Sequence, residues 1–292
     1  MEATLYSLKL SHPSRAALGM LRHKGIEPKV VDIPPGLQPL ALRALGFKGG
    51  TVPALKLGGR RIHGSLAIAR ALEELLPDPP LYPADPAERR RVEAAERWGD
   101  AVFQPVPRRL FRWIMTNDRE ARRWLTEVSG IPAPGIVAVT SLPQAVLFAR
   151  MSGADEKRVR ADVAEIPSHL DHIDNLIGEG ILNGERLNAA DFQIGVTTRA
   201  LLGFPELAAL VEGRPAAPTH AACCPTTQAR CRPASPSPGS RLSALFRARS
   251  SVGERSPHTR EVAGSSPAAP ITPANIAYSE RPTALRASSG TR

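Results

Sequence analysis

The sequence predicts an α/β domain followed by an all-α helical bundle, and three observations carry that prediction. Over residues 1–76, short alternating or β-branched runs interleave with apolar residues at helical spacing, in the order β-α-β-α-β-β-α. A proline-rich stretch at residues 77–86, PDPPLYPADP, then interrupts the pattern. Beyond it the apolar residues recur three and four apart, as in amphipathic helices. The expected domains are residues 1–77 and 88–217, joined by a linker at 78–87.

Residues 3–10 alternate in polarity and read as a strand ending before Ser11. Pro13 stands where a first-turn proline is tolerated, and Ala16, Ala17, Met20 and Leu21 then recur at helical spacing up to Gly25. Residues 29–33 are β-branched and strand-like. Pro34, Pro35 and Gly36 break the chain before a short helix at 37–45. A strand at 52–57, a Gly58-Gly59 turn and a strand at 60–63 lead into a helix beginning at Ser65, whose apolar face holds Leu66, Ile68, Ala69, Leu72, Leu75 and Leu76.

After the linker, residues 88–111 read as a helix that Pro105 and Pro107 kink or end. Helices follow at 119–129 and 142–151. Val159, Val163, Ile166, Leu170 and Ile173 mark an amphipathic helix over 156–177. The helix at 188–202 is apolar almost all round and is therefore expected to be buried, and 207–211 is a last apolar turn.

The 292 residues carry Lys+Arg 38 and Asp+Glu 28, a net charge of +10 that would suit an acidic partner. The charge is not evenly spread. Residues 218–292 hold ten Arg, three Glu and no Lys or Asp, with all three cysteines (Cys223, Cys224, Cys231). Residues 1–217 are left with 28 basic and 25 acidic side chains and no cysteine. A disulfide scaffold or a thiolate metal site is thereby excluded from that part, and no metal is expected. No apolar run reaches the roughly 18–20 residues of a membrane span. The opening residues lack a charged region followed by an apolar stretch, so a cytoplasmic protein is expected, without membrane or nucleic-acid partners.

Three motifs carry chemistry. Thr51-Val52-Pro53 precedes a strand and is followed by Gly64-Ser65 at a helix start. Asn188-Ala189-Ala190-Asp191 has the spacing of a capping box, in which each residue bonds the other's backbone. Ser11-His12-Pro13-Ser14 lies between the first strand and the first helix. Together with the two-part layout, these residues resemble the soluble glutathione S-transferase family over about residues 3–217.

The resemblance implies a thioredoxin-like βαβαββα domain followed by a helical-bundle domain. It implies a cis proline at Pro53, which leaves the backbone N–H and C=O of Val52 exposed to pair with glutathione as an added strand would. Thr51, Val52, Pro53, Gly64 and Ser65 are then the thiol-cofactor site. Ser65 is either a helix N-cap or a ligand for a carboxylate at a helix N-terminus. The family often places Glu or Gln at the position of Gly64, so one contact to the γ-glutamyl end is missing here.

Ser11 aligns with the catalytic serine of the serine-type classes, with Ser14 as the backup. Tyr6 matches the tyrosine-type position less well. A hydroxyl donating to sulfur at the positive end of a helix lowers a thiol pKa, while the plainer reading makes Ser11 a cap. Asn188 and Asp191 are structural. Trp98, Phe103, Phe111 and Trp113 border the family's substrate site, with core packing the simpler role. The arginines at 89–91, 108–109, 112, 119 and 122–123 read as solvated helix faces. His12 and His63 lack a ligand partner in sequence and read as exposed or hydrogen-bonding groups.

The implied activity is conjugation of glutathione, or another small thiol, to a small hydrophobic electrophile by a homodimer. A non-catalytic thiol-binding protein of the same fold, an isomerase and a dehalogenase are the alternatives.

The resemblance stops after Ala217. Related chains continue with His-Ala-Arg-Arg-Val-Leu-Pro-Asp-Tyr-Pro-Gly, and a one-base frame shift across residues 219–229 is compatible with that continuation at every position. Residues 263–267, AGSSP, can be encoded by the T-arm pattern of a tRNA gene. The economical reading of residues 218–292 is out-of-frame translation into a disordered tail. The competing reading is a basic nucleic-acid-binding arm.

Overall fold

The computed structural model describes residues 2–217. The tail at 218–292, with the frameshift reading and its three cysteines, lies outside the described residues.

Four strands form one mixed sheet in the order β2-β1-β3-β4. β1 (Ala3–Ser7) is central: it pairs in parallel with β2 (Lys29–Asp32) and antiparallel with β3 (Ala54–Leu57), with Leu5 opposite both Val30 and Leu55. Alternation along β1 sends Ala3 and Leu5 into the core. β3 and β4 (Arg60–His63) form a hairpin. Gly58 and Gly59 both have positive φ, +53° and +86°, as a tight two-residue hairpin turn requires.

β1 stops at Ser7 rather than near residue 10, because the chain turns there and Ser11 N donates to the Leu8 carbonyl (2.8 Å). β3 begins at Ala54, just after the cis Val52–Pro53 bond.

α1 (His12–His23) covers the sheet with Ala16, Ala17, Met20 and Leu21 and packs against α3 (Ser65–Leu75). α2 (Gln38–Ala44) buries only Leu42, beside Ile33, Phe47 and Ala54. The linker is pinned by Lys24. Its Nζ bonds Glu73 (2.8 Å) and the Leu76 carbonyl (2.6 Å), and Glu73 accepts from Leu81 N.

The helical part departs from expectation at its first helix. α4 (Pro86–Trp98) leads into a π-helical turn, Gly99–Phe103, and α5 runs from Pro105 to Asn117. Pro105 and Pro107 do not end the helix. The π turn, in which Gln104 N donates to the Gly99 carbonyl, absorbs the break upstream. Pro105 then starts a fresh helix, where its missing N–H costs nothing. Gly99 lets α10 (Ala189–Leu201) approach: a Cβ there would stand 2.8 Å from Ile194 Cγ1.

α6 (Arg119–Val128) and α8 (Leu142–Met151) lie as the spacing predicts. α7 (Pro134–Thr140) is a further short helix that the sequence pattern does not announce. α9 (Glu156–Gly178) buries all five residues of its expected stripe. α10 is buried nearly all round and packs on α1, α4 and the π turn. α11 (Pro205–Val211) follows. Residues 214–217 then fold back on α9, where Arg214 pairs with Asp171 and Asp174 and Ala216 N donates to Asp174.

Phe103 and Trp113 are core residues, and Trp98 stacks on Phe103 with ring centroids 5.4 Å apart. Not every arginine lies on a solvated face. Arg109 forms a two-point ion pair with the fully buried Asp162 (2.5 and 2.7 Å). Arg122 is buried and closes the end of α5 through the Met115 carbonyl. Both sit where helices meet, so tertiary packing encloses them whatever their position along the helical face. No single helix among the described residues is long and apolar enough to cross a membrane.

Candidate functional site

Three segments converge at one end of the sheet: the turn after β1, the loop before β3, and the start of α3. Each is shaped by a local constraint that the sequence carries.

Ser11 is the N-cap of α1. Its extended backbone and side-chain oxygen are typical of the position, and the oxygen accepts from Ser14 N (3.3 Å). It also accepts from the Ser14 hydroxyl (2.9 Å). In both contacts Ser11 receives, so its own proton remains to be donated. Ser11 is half-buried and reaches solvent, whereas Ser14 is buried and reaches the site only through Ser11. No acidic residue stands in the first turn of α1 to offset the positive helix end.

His12 is buried, not exposed. Its Nε2 lies 3.3 Å from the Gln104 carbonyl, which can only accept, so Nε2 carries the proton. Burial, with Arg108 and Arg15 nearby, pushes its pKa down to about 3 against the opposing Gln104 bond. His12 is therefore a neutral peg joining the start of α1 to the start of α5.

The loop before β3 contains the cis Val52–Pro53 bond. Val52 makes no backbone hydrogen bond among the described residues, while the Pro53 carbonyl accepts from Gly64 N (2.9 Å). One edge of this segment is thus held and the other is open. His63 fixes the loop: its Nε2 donates to the Thr51 carbonyl (2.8 Å) and lies 3.2 Å from Thr51 Oγ1. Gly49 makes room, since a Cβ there would fall 2.2 Å from the His63 ring. His63 is a positioning residue, the hydrogen-bonding one of the two readings its sequence left open. Its partner is a backbone atom twelve residues away, which no motif records.

Gly64, not Ser65, is the N-cap of α3, with φ +90°. That conformation favours glycine, and space beyond its α-carbon is open to 4 Å. Ser65 is the first helical residue. It is buried and makes no capping bond to its own helix. The first-turn N–H groups of α3 and the Ser65 hydroxyl therefore sit together beside the Pro53–Gly64 contact. An open peptide edge at Val52, a helix start at Ser65 and a donor at Ser11 suit a small peptide thiol with a free carboxylate.

Asn188 and Asp191 close the N-terminus of α10 instead of opening a site. Asn188 Oδ1 accepts from Ala190 N and Asp191 N, and Asp191 answers Asn188 N (2.9 Å). Its other oxygen accepts from Asn183 N (2.8 Å). Burial raises the Asp191 pKa, opposed by these N–H bonds. Among the described residues no group of three or more His, Cys, Asp or Glu is placed to hold a metal ion.

Residues 5–80 match the protein family described as glutathione S-transferase, N-terminal domain. No curated protein sequence matches the chain. Solved structures similar to it include a glutathione S-transferase from Sinorhizobium meliloti 1021 (20% identity, 74% of this chain and 90% of that one, TM-score 0.50). Another is the beta-etherase LigF from Sphingobium sp. strain SYK-6 (20% identity, 69% and 84% covered, TM-score 0.50). A third is a glutathione S-transferase-I solved with lactoylglutathione bound (16% identity, 87% and 95% covered, TM-score 0.51). At these identities the likeness establishes the shared fold. Residues 5–80 thus match the N-terminal domain of the glutathione S-transferase family, and the chain shares the fold of these solved proteins.

Proposed function

We propose that the protein is a glutathione-dependent transferase that joins the thiol to a small electrophile, with Ser11 as the group that stabilises the thiolate. The observation that carries this reading is the hydrogen-bond pattern at Ser11. Its oxygen accepts from Ser14 N and the Ser14 hydroxyl, leaving one proton free above the N-terminus of α1.

Glutathione supplies the nucleophilic sulfur. Thr51, Val52 and Pro53 hold its cysteinyl backbone by strand-like pairing, and Ser65 with the start of α3 holds the γ-glutamyl carboxylate. Ser11 donates to the sulfur. The buried Ser14 hydroxyl, donating in turn to Ser11, strengthens that bond through the chain of dipoles. The positive end of α1 adds to the effect, and each pKa unit removed from the thiol is worth about 1.4 kcal/mol of thiolate preference. Attack forms a carbon–sulfur bond as the electrophile's leaving group departs with its electron pair, and the thiol proton passes to solvent. His12, neutral and engaged with Gln104, holds the start of α1 in place and takes no part in the proton transfer.

Titration with glutathione and conjugation kinetics on Ser11→Ala test the reading. The native protein is expected to bind glutathione below millimolar concentration, and Ser11→Ala is expected to lose at least about tenfold in kcat/KM, the equivalent of one pKa unit. A retained rate would remove Ser11 from the mechanism. Binding without turnover would favour the second reading, a non-catalytic thiol-binding protein, which the bare Gly64 supports by offering no side chain to the γ-glutamyl end.

A further inference from the structure

A series of contacts links the segments around Ser11. Ile33 N donates to the Ser7 carbonyl (2.8 Å), so the chain leaves β2 beside the turn that precedes α1. Gln144 on α8 donates to the Pro35 carbonyl (3.4 Å). Arg112 on α5 donates to the Phe148 carbonyl on α8 (3.3 Å). Gln104, at the start of α5, meets His12 (3.3 Å), next to Ser11.

Gln104, Arg108 and Arg112 are four residues apart and share one face of α5. Arg108 lies between them on that face, and its charge acts on His12 next to Ser11. Among the described residues it has no hydrogen bond or ion pair. The acid acting on it is Asp100, whose Oδ1 already accepts from Gln193 (3.1 Å). Arg112 uses one nitrogen on Phe148 and faces no acid. The segment before and within α1 adds two more cations, and the exposed Asp32 ends β2 beside Ser7. Arg15 acts on His12, and Lys9 donates to the Val128 carbonyl. Arg108 is exposed and Arg112 half-buried, yet partial desolvation lowers the pKa of both, and Arg109 and Arg108 respectively add like-charge repulsion. A guanidinium cannot relieve this by losing its proton. Such a cluster is stabilised by an arriving anion, and the planar guanidinium fork matches a carboxylate.

We propose that the electrophile taken at this site is a carboxylate-bearing small molecule, with Arg108 as its principal anion receptor and Arg112 as the second. This rests on the transferase reading for turnover but not for binding. The expected substrate class is thereby an amphiphilic acid rather than a wholly apolar compound. Phe111, half-buried beside the core, and Phe148, under Arg112, supply the apolar contact for its body.

The test uses a matched pair, 4-chloro-3-nitrobenzoate and its uncharged amide, measured for equilibrium binding and then for turnover with glutathione. The native protein is expected to bind the benzoate about tenfold more tightly than the amide, as a charge-assisted bond allows. Arg108→Gln is expected to abolish that preference, and Arg108→Lys to retain part of it. Equal binding of the pair by the native protein overturns the proposal. So does a preference that survives in Arg108→Gln, or an Arg108→Gln defect confined to glutathione affinity. If glutathione supports no turnover while the benzoate preference persists and depends on Arg108, the transferase reading fails and the anion site stands. Should Arg108→Gln fold poorly, Arg112→Gln and the salt dependence of benzoate binding decide: a preference unaffected by both overturns the site.

Discussion

Two helix N-termini in this protein carry the same kind of sequence signal and have opposite fates. At α10, Asn188 and Asp191 satisfy each other, and the spare carboxylate oxygen is taken by Asn183 N. Asp191 is wholly buried. At α1, Ser11 also caps its helix, but it receives from Ser14 twice and keeps a proton to give, at a point that solvent reaches. A closed cap stabilises a fold, and an open one is available for chemistry. The difference lies in the third residue of each helix. Asp191 bonds back to its cap's backbone, whereas Ser14 bonds to the cap's side chain.

The largest expected effect breaks the closed cap. Asp191→Ala leaves the part-buried N–H groups of Asn183 and Asn188 without their acceptor, and it should cost about 3 kcal/mol, read as a fall in the denaturation midpoint. A loss well under about 1 kcal/mol would show that water satisfies those groups and that the two caps are alike.

His12 beside the open cap provides a pH-dependent comparison. Its folded pKa, about 3, lies well below the ordinary histidine value of 6.5. The unfolded chain therefore binds the proton more readily, and this contribution to stability falls as pH drops from about 6.5 towards 3. At about pH 5 the loss should be about 2 kcal/mol relative to pH 7. His12→Gln, which keeps a donor for the Gln104 carbonyl, should flatten that slope while leaving the rest of the acid profile. An unchanged slope would mean that His12 opens to solvent before it titrates.

A smaller effect is expected at the start of α3, where glycine replaces a capping side chain. Gly64→Gln imposes a side chain on a residue at φ +90° and should cost between about 1 and 2 kcal/mol. The space beyond it is open, so the same variant should tighten glutathione binding. Lost stability without gained affinity would place the γ-glutamyl end elsewhere.

The smallest stability change is expected at the open cap itself. Ser11→Ala should lower stability by about 1 kcal/mol while raising the pKa of the bound thiol, measured from thiolate absorbance against pH. A stability loss with no thiol shift would make Ser11 a second closed cap in function.

The contact between α3 and α4 holds one further titratable group. Glu96 is buried, bonded by Arg70 (2.7 Å) and by the Tyr82 hydroxyl, and burial pushes its pKa up to about 7 in spite of Arg70. It binds its proton more tightly folded than unfolded, so its contribution falls as pH rises from about 4.5 to 7. Glu96 and His12 therefore tilt stability in opposite directions.

Much of the fold was legible because local patterns agree with the tertiary arrangement. The seven elements of the first 76 residues follow from alternation, helical spacing and glycine turns, and the α9 stripe from Val159 to Ile173 is buried as its period requires. The misreadings have physical causes. Pro105 was expected to disturb a helix, yet a π turn upstream moved the break to where proline is tolerated. α7 is too short to show a period.

By itself the sequence determined which residues could act: a serine before a helix, a Val-Pro step before a strand, a glycine where the family often has Glu or Gln, and a reciprocal Asn–Asp pair. These are local, set by the geometry of one turn. Only the tertiary structure decided that His12 is a neutral peg on Gln104, that His63 holds Thr51, and that Arg108 forms no ion pair among the described residues. Each of these depends on atoms brought together from distant parts of the chain, 92 residues apart for His12 and Gln104. Burial and charge at such meeting points are properties of the packed chain, and no periodicity along the sequence encodes them.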